Sequence, residues 1–185
     1  MGEQHTHRAE AYIGLGANLD KPLQQLESAL EQLKKIPEIS LQGCSSFYRS
    51  AALGPKDQND YINAVGYLRT SLSPLELLHQ CQHIENQHGR VRSGERWGPR
   101  VLDLDILLYR PFSTEATSPA PWLVRNSPEL SLPHPEIQNR SFVVLPLLEL
   151  NPHLEIEIGI PLSHLRQELS NQTLQKLPVT IEPRL

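Results

Sequence analysis

The first two thirds of the chain alternate between two hydrophobic periods. A period of two residues is typical of strands, because successive side chains point to opposite faces, and it occurs at residues 11–16, 41–50, 61–70 and 101–109. A period of three to four residues is typical of helices and occurs in two segments between those strands. The first helix is predicted to begin after Asp20 and Pro22. The second is predicted after Ser73 and Pro74, because Ser73 and Glu76 have the spacing of a capping box.

The resulting order of elements is strand, helix, strand, strand, helix, strand. This order predicts an α+β protein with a ferredoxin-like βαββαβ antiparallel sheet, helices on one face and a C-terminal extension. Within the extension, residues 142–150 predict a helix that contains Pro146, residues 154–160 a further strand, and residues 163–176 a last helix.

Length and composition limit the classes of protein. A chain of 185 residues is long enough for one domain with a real core. We expect a single domain over 1–185, with a frayed tail at 1–9 and a long proline-rich loop at 110–131. The net charge of −4 argues against a general nucleic-acid binder. Cys44 and Cys81 lack metal-ligand spacing, and the chain lacks an apolar signal or membrane-spanning run, so we expect a cytoplasmic protein with no membrane partner.

Two aspartates stand on the strand predicted at 101–109. Asp103 and Asp105 share one face, and their Cα atoms should lie roughly 6–7 Å apart. The other face is predicted to be apolar and to consist of Leu102, Leu104, Ile106 and Leu108. Two carboxylates at that separation can bind a pair of Mg²⁺ ions, which also accept phosphate oxygens. An Asp-x-Asp pair alone is more often a solvated strand end, so the motif needs support from its surroundings.

That support comes from an arginine-rich loop directly before the aspartates. Arg90, Arg92, Arg96 and Arg100 lie in a glycine- and proline-punctuated segment that also contains Trp97. A guanidinium group is always charged and can donate two parallel hydrogen bonds to the oxygens of one phosphate. Carboxylates and arginines together predict metal-dependent phosphoryl or nucleotidyl transfer that involves a nucleotide.

A second group of polar and aromatic residues lies on the strand predicted at 61–70. Tyr61 and Asn63 share one face of this strand, next to each other. An aromatic ring beside an amide suits stacking and hydrogen bonding to a flat heterocycle. The same pair also occurs at ordinary strand entrances, so the residues alone do not name a ligand.

Three segments around the arginine loop carry a family resemblance: Gly-Arg-Val-Arg at 89–92, Arg-Trp-Gly-Pro-Arg at 96–100 and Leu-Asp-Leu-Asp-Ile at 102–106. They resemble the signature of the 6-hydroxymethyl-7,8-dihydropterin pyrophosphokinases of folate biosynthesis. The likeness resumes at Leu-Pro-His-Pro, 132–135, and at Asn-Arg-Ser-Phe, 139–142. It implies transfer of the diphosphate of ATP to the hydroxymethyl group of the dihydropterin, with release of AMP.

The resemblance also implies roles for individual residues. It implies that Asp103 and Asp105 bind two Mg²⁺ ions and that Arg90 and Arg92 join them as catalytic residues. It places Arg92 and Trp97 on a mobile lid over ATP. The implied ATP contacts are Gln82, Glu85, Arg90, Arg92, Trp97, Arg100, Ile106, His134 and Arg140. The implied pterin contacts are Ser50, Ala51, Leu53, Tyr61, Asn63, Trp97 and Phe142, with Tyr61 and Phe142 as the stacking walls.

Two alternatives remain open at this point. One is another two-metal nucleotidyl or phosphoryl transferase, which would normally need a third carboxylate in its site. The other is a ferredoxin-like RNA-binding module, which would need exposed aromatic residues on a basic face. The preferred interpretation has ATP and the dihydropterin as its small-molecule partners, binds no nucleic acid, and acts as a monomer.

Overall fold

A six-stranded antiparallel sheet forms the centre of the fold in the computed structural model, which describes residues 8–52, 58–90, 99–112, 120–157, 160–165 and 169–178. The strands are β1 (Ala9–Ala17), β2 (Ile39–Cys44), β3 (Tyr48–Ser50), β4 (Tyr61–Thr70), β5 (Asp103–Pro111), β6 (Arg125–Asn126), β7 (Ser131–Leu132), β8 (Glu155–Glu157), β9 (Ile160–Pro161) and β10 (Leu174–Lys176). The helices are α1 (Pro22–Lys34), α2 (Pro74–Gln87) and α3 (Ser141–Leu150), with 3-10 turns at Ile137–Asn139 and Leu162–His164.

The sheet has the strand order β10-β3-β4-β1-β5, and β2 pairs with the remaining length of β4 beside β3. Because β1 lies between β4 and β5 and every pairing is antiparallel, this is the order of a ferredoxin-like split sheet. The fold class predicted from the element order is confirmed.

Each face of the sheet has its own hydrophobic core. Helices α1 and α2 cover one face, as predicted, and bury side chains such as Leu30 and Leu77 in one core with Ile13 of β1. Helix α3, from the C-terminal part of the chain, packs on the opposite face, where Val144 and Leu147 are fully buried. The site described below therefore has a rigid two-sided support.

Strand β5 departs from strict alternation. The register against β1 runs from Ile13 opposite Ile106 to Tyr12 opposite Leu108, so Leu107 is an extra residue that forms a β-bulge. The bulge places both Leu107 and Leu108 in the core on the α3 side. Leu108 was predicted to share a face with Leu102, Leu104 and Ile106; this was wrong because the bulge reverses the alternation after Leu107.

The C-terminal part also differs from the predictions. Residues 41–50 form two strands, β2 and β3, and residues around the predicted strand at 154–160 form the hairpin β8–β9. The helix predicted at 163–176 does not form over its whole length. A 3-10 turn ends at His164, and the N–H of Leu169 donates to the carbonyl of Leu165 at 3.1 Å, with helical spacing. The prediction is wrong at its end, where Leu174–Lys176 forms the strand β10. Strand β10 pairs with β3, and such a distant pairing overrides a helical pattern. No helix among the described residues has the length and apolar character needed to cross a bilayer.

Candidate active site

Two glycines of β1 form the floor of a pocket on the α3 side of the sheet. Gly16 lies in register with Asn63 of β4 on one side and Asp103 of β5 on the other, and Gly14 likewise lies beside Asp105. Neither glycine has a side chain, so the space above β1 stays open between the two outer strands. A cavity of about 370 Å³ fills this space.

The pocket brings together most of the residues singled out from the sequence, although they come from distant parts of the chain. They are Ser50, Ala51, Tyr61, Asn63, Arg100, Asp103, Asp105, His134, Arg140 and Phe142. Strands β3, β4 and β5 and their adjoining loops supply the first seven, and the last three come from the segment before α3 and from its first turn.

Other predicted residues lie elsewhere. Ile106 lines a second cavity of about 260 Å³, which lies between α2, β5 and the β6–β7 hairpin and shares Asp105 and His134 with the first. Gln82 is half-buried on α2, and Glu85 is buried beneath the pocket at 1% exposure. Leu53, Arg92 and Trp97 lie outside the described residues.

A chain of ion pairs runs from α2 to the floor of the pocket. The guanidinium of Arg90 contacts the carboxylate of Glu85 and lies 2.7 Å from Asp103 Oδ1, while Arg100 contacts Asp103 Oδ2. Glu85 Oε1 also accepts a hydrogen bond of 2.8 Å from the backbone N–H of Leu104, which fixes the start of β5. Both oxygens of Asp103 are thus paired with guanidinium groups, of which that of Arg100 lines the pocket.

Asp105 has a different environment from Asp103. Burial, together with the negative charge of Asp103, raises the pKa of Asp105 well above its usual range, although Arg100 and Arg140 oppose the shift. His134 Nε2 lies 3.8 Å from Asp105 Oδ2. Burial and the nearby charge of Arg140 lower the pKa of His134, which favours the neutral imidazole at neutral pH.

Aromatic and amide side chains line another part of the pocket. Asn63 is buried and donates a hydrogen bond of 2.9 Å from Nδ2 to Ser50 Oγ, so its amide has a fixed orientation. Burial raises the pKa of the Tyr61 hydroxyl, which stays protonated. The guanidinium carbon of Arg140 lies 5.8 Å from the centre of the Phe142 ring.

Sequence reasoning missed the structural role of Asn18. This residue is only 2% exposed and accepts a hydrogen bond of 2.8 Å from the backbone N–H of Arg100, while its own N–H donates to the carbonyl of Arg100 at 3.0 Å. Its Nδ2 donates to the carbonyl of Asn59 at 3.1 Å. Asn18 therefore connects the end of β1 to the segments before β4 and β5. Its place directly after Ala17, the last residue of β1, was the available signal.

The donor set suits a hard divalent cation with few protein ligands. Among the residues that the structure describes, no group of three or more His, Cys, Asp or Glu side chains is arranged to hold a metal. Asp103 and Asp105 offer two carboxylates at the floor of one pocket. Mg²⁺ is commonly bound by one or two carboxylates, with water and substrate phosphates as its other ligands. The two aspartates therefore fit Mg²⁺ together with a phosphate-bearing substrate.

One pocket on this ferredoxin-like sheet combines carboxylates, guanidinium groups and aromatic rings. This arrangement is expected of an enzyme that transfers a phosphoryl or diphosphoryl group to a small molecule. The model of the family 7,8-dihydro-6-hydroxymethylpterin-pyrophosphokinase (HPPK) matches residues 12–152. The chain belongs to this family, and the resemblance seen in the sequence is confirmed.

Two curated relatives, both described as pyrophosphokinases, match this chain over nearly their whole length. The 2-amino-4-hydroxy-6-hydroxymethyldihydropteridine pyrophosphokinase of Haemophilus influenzae is 42% identical over 167 residues, which are 90% of this chain and 97% of that protein. The enzyme of the same description from Pseudomonas aeruginosa is 40% identical, over 90% of this chain and 96% of its own.

Solved structures support the fold. A crystal structure of HPPK-DHPS in complex with substrates aligns with a TM-score of 0.63 at 12% identity and covers 90% of this chain. Wild-type Plasmodium falciparum HPPK-DHPS aligns with a TM-score of 0.60 at 14% identity and covers 88% of this chain. The present chain spans 44% of each of those two longer chains, so they bear on the fold alone.

Proposed function

We propose that the pocket above Gly14 and Gly16 is the site at which this chain transfers the diphosphate of ATP to 6-hydroxymethyl-7,8-dihydropterin, giving AMP and the pterin diphosphate. Membership of the pyrophosphokinase family supports this reaction and its place in folate biosynthesis. It also favours this reaction over the two alternatives, another two-metal transferase and an RNA-binding module. The observation that carries the proposal is that one cavity is lined both by two aromatic rings and an amide, those of Tyr61, Phe142 and Asn63, and by the carboxylates of Asp103 and Asp105.

The part of the cavity lined by Tyr61, Asn63 and Phe142 suits the pterin. Tyr61 and Phe142 would stack on the two faces of the ring system, each contact contributing about 0.5–1.5 kcal/mol beyond burial. The amide of Asn63, held by Ser50, would hydrogen-bond the ring edge, and Ala51 and Leu53 would supply backbone partners. A ring without matching donors and acceptors would leave these buried groups unpaired, which gives selectivity.

The charged end suits the polyphosphate of ATP. Arg100, Arg140 and His134 face the cavity beside the aspartates and would contact phosphate oxygens. The second cavity begins on the other side of Asp105 and His134, so the nucleoside would lie there against Ile106. The transferred group would then lie between the two cavities, next to Asp103 and Asp105.

Several other residues complete the proposed ATP site. Gln82 remains a proposed nucleotide contact from α2. Glu85 would act through Arg90, because it is buried and pairs with that guanidinium. Arg92 and Trp97 would lie on a lid that closes over ATP and excludes water.

The carboxylates of Asp103 and Asp105 would hold two Mg²⁺ ions, whose charge would offset that of the phosphates during an in-line transfer. Arg90 and Arg100 already pair with Asp103, and the same guanidinium groups can bind phosphate oxygens instead. In this arrangement the arginines keep Asp103 oriented before substrate binding and neutralise charge afterwards.

The test is to incubate the protein with ATP, Mg²⁺ and the dihydropterin and to separate the nucleotides. AMP and the pterin diphosphate should form in equal amounts, without ADP. Asp105→Asn keeps the shape and removes the charge, so turnover should fall by about two orders of magnitude or more while the fold is retained. Asp60→Asn, at an exposed position just before β4, is the matched control and should keep full activity.

Formation of ADP, or a folded Asp105→Asn variant with wild-type turnover, would contradict the assignment. A metal titration followed by calorimetry gives an independent check. The wild-type protein should bind Mg²⁺ with a nucleotide analogue, and Asp105→Asn should bind it more weakly.

A further inference from the structure

The start of α3 is held by a residue far away along the chain. Arg140 is the N-cap residue of α3, and its side chain makes no capping hydrogen bond to the helix. The first N–H groups of a helix have no partner within the helix and need one from elsewhere. Ser141, the first residue of α3, is buried, so water cannot readily supply that partner.

Gln172 supplies it. The backbone N–H of Ser141 donates to Gln172 Oε1 at 2.8 Å, and Gln172 Nε2 donates to the carbonyl of Asn139 at 2.9 Å. The single amide group therefore binds the backbone immediately before and immediately after Arg140. A glutamine is suited to this because its side chain is both a donor and an acceptor.

The segment that carries Gln172 is itself attached to the sheet. Strand β10 pairs with β3, with Leu174 opposite Ser50, and the N–H of Leu177 donates to the carbonyl of Phe47 at 2.8 Å. Lys176 Nζ lies 2.9 Å from Glu149 of α3. These contacts give Gln172 a fixed position relative to both β3 and α3.

We propose that Gln172 is a positioning residue for the pyrophosphokinase reaction: it fixes the backbone on both sides of Arg140 and so holds that guanidinium at the polyphosphate end of the pocket. The role of Arg140 rests on the proposed function. Gln172 lies beyond residues 12–152, which the family model matches, so the family pattern does not assign it a role.

The pair of hydrogen bonds from Gln172 to Ser141 and Asn139, called the clamp below, can be tested without any substrate. Gln172→Leu keeps similar bulk and removes both hydrogen bonds. Hydrogen exchange of the Ser141 amide should become about tenfold faster or more, because the loss of a helix cap removes its partner. Gln175→Leu is the matched control, since Gln175 is an exposed glutamine of β10. Equal exchange of Ser141 in the two variants would overturn the clamp.

Activity then tests whether the clamp acts through Arg140. Gln172→Leu should lower kcat/KM for ATP about tenfold, because a small displacement of a binding group has a large effect on rate. Gln172→Glu keeps an acceptor for Ser141 but loses the donor to Asn139, and should recover part of this loss. In an Arg140→Ala background, Gln172→Leu should cause no further loss.

Two results would refute the positioning role: a wild-type kcat/KM for Gln172→Leu, or losses from Gln172→Leu and Arg140→Ala that multiply. Gln172→Glu carries the same comparison should Gln172→Leu fail to fold. A wild-type protein that forms no AMP would instead refute the proposed function, and the exchange result for Ser141 would still decide the clamp.

Discussion

Replacing Glu85 by glutamine removes one buried charge and leaves the shape of the side chain unchanged. Glu85 is 1% exposed, and its partner Arg90 has a side chain that is 17% exposed. Removing one member of a buried ion pair typically costs about 3–5 kcal/mol, because the other charge stays buried. Here the cost should be smaller, since glutamine can still accept from the N–H of Leu104 and Arg90 keeps Asp103 as a partner.

The expected loss is therefore that of one charged hydrogen bond, about 2 kcal/mol. For a chain of this length, that corresponds to a fall in Tm of about 4–8 °C. Glu31→Gln is the matched control, because Glu31 makes an exposed pair with Lys34 on α1. Such a pair contributes no more than about 0.5 kcal/mol.

Thermal and urea unfolding of the two variants measure this difference directly. Glu85→Gln should also lower kcat/KM about tenfold, because Arg90 loses the carboxylate that orients it towards Asp103. A Tm for Glu85→Gln that equals that of Glu31→Gln would refute the reasoning. It would mean that Asp103 alone holds Arg90, and that the only stabilising contact of the Glu85 side chain is the hydrogen bond from the N–H of Leu104 in β5.

Two further predictions concern the pocket floor and the hydrogen bonds of Glu149 on α3. A Cβ on Gly16 would lie 3.4 Å from Asn63 Oδ1, which is an ordinary contact, so Gly16→Ala should fold normally yet raise KM for the pterin about tenfold. Steady-state kinetics would measure this, and an unchanged KM would place the pterin elsewhere. Partial burial raises the pKa of Glu149, but hydrogen bonds from Ser46, Lys176 and Tyr48 outweigh it and the net pKa is lowered. The stabilisation is therefore complete above the ordinary pKa of 4.5 and is lost as pH falls through the lower folded value. Glu149→Gln should lower Tm at pH 7, and the difference in Tm should shrink as the pH falls below 4.5; a pH-independent difference would contradict this.

The elements predicted well from the sequence are those that local rules determine. The bounds of β4, Tyr61–Thr70, equal the predicted ones, and α2 begins at the capping box of Ser73 and Glu76. Alternation along β4 and β5 also put Asn63 and Asp103 on the face that the pocket occupies. Capping and alternation depend on residues only a few positions apart, so they can be seen without the fold.

The errors arise where distant residues decide the structure. The bulge at Leu107 depends on the register with β1, and no pattern within β5 reveals it. Strand β10 exists because β3 offers it an edge, whereas the local sequence of that segment suggested a helix. Asn18 and Gln172 were missed for the same reason, since their partners Arg100 and Ser141 lie far along the chain.

The strand order itself sets a distance that the proposed reaction needs. Asn63 and Asp103 lie on β4 and β5, which are separated only by Gly16 of β1. Neighbouring strands lie about 4.8 Å apart, so these two residues are roughly 10 Å apart across the sheet. That span is comparable to a two-ring heterocycle with a one-carbon arm. A pterin bound by Asn63 would therefore present its hydroxymethyl group near the carboxylates because β1 lies between the two strands, and any side chain at Gly16 would lie in its path.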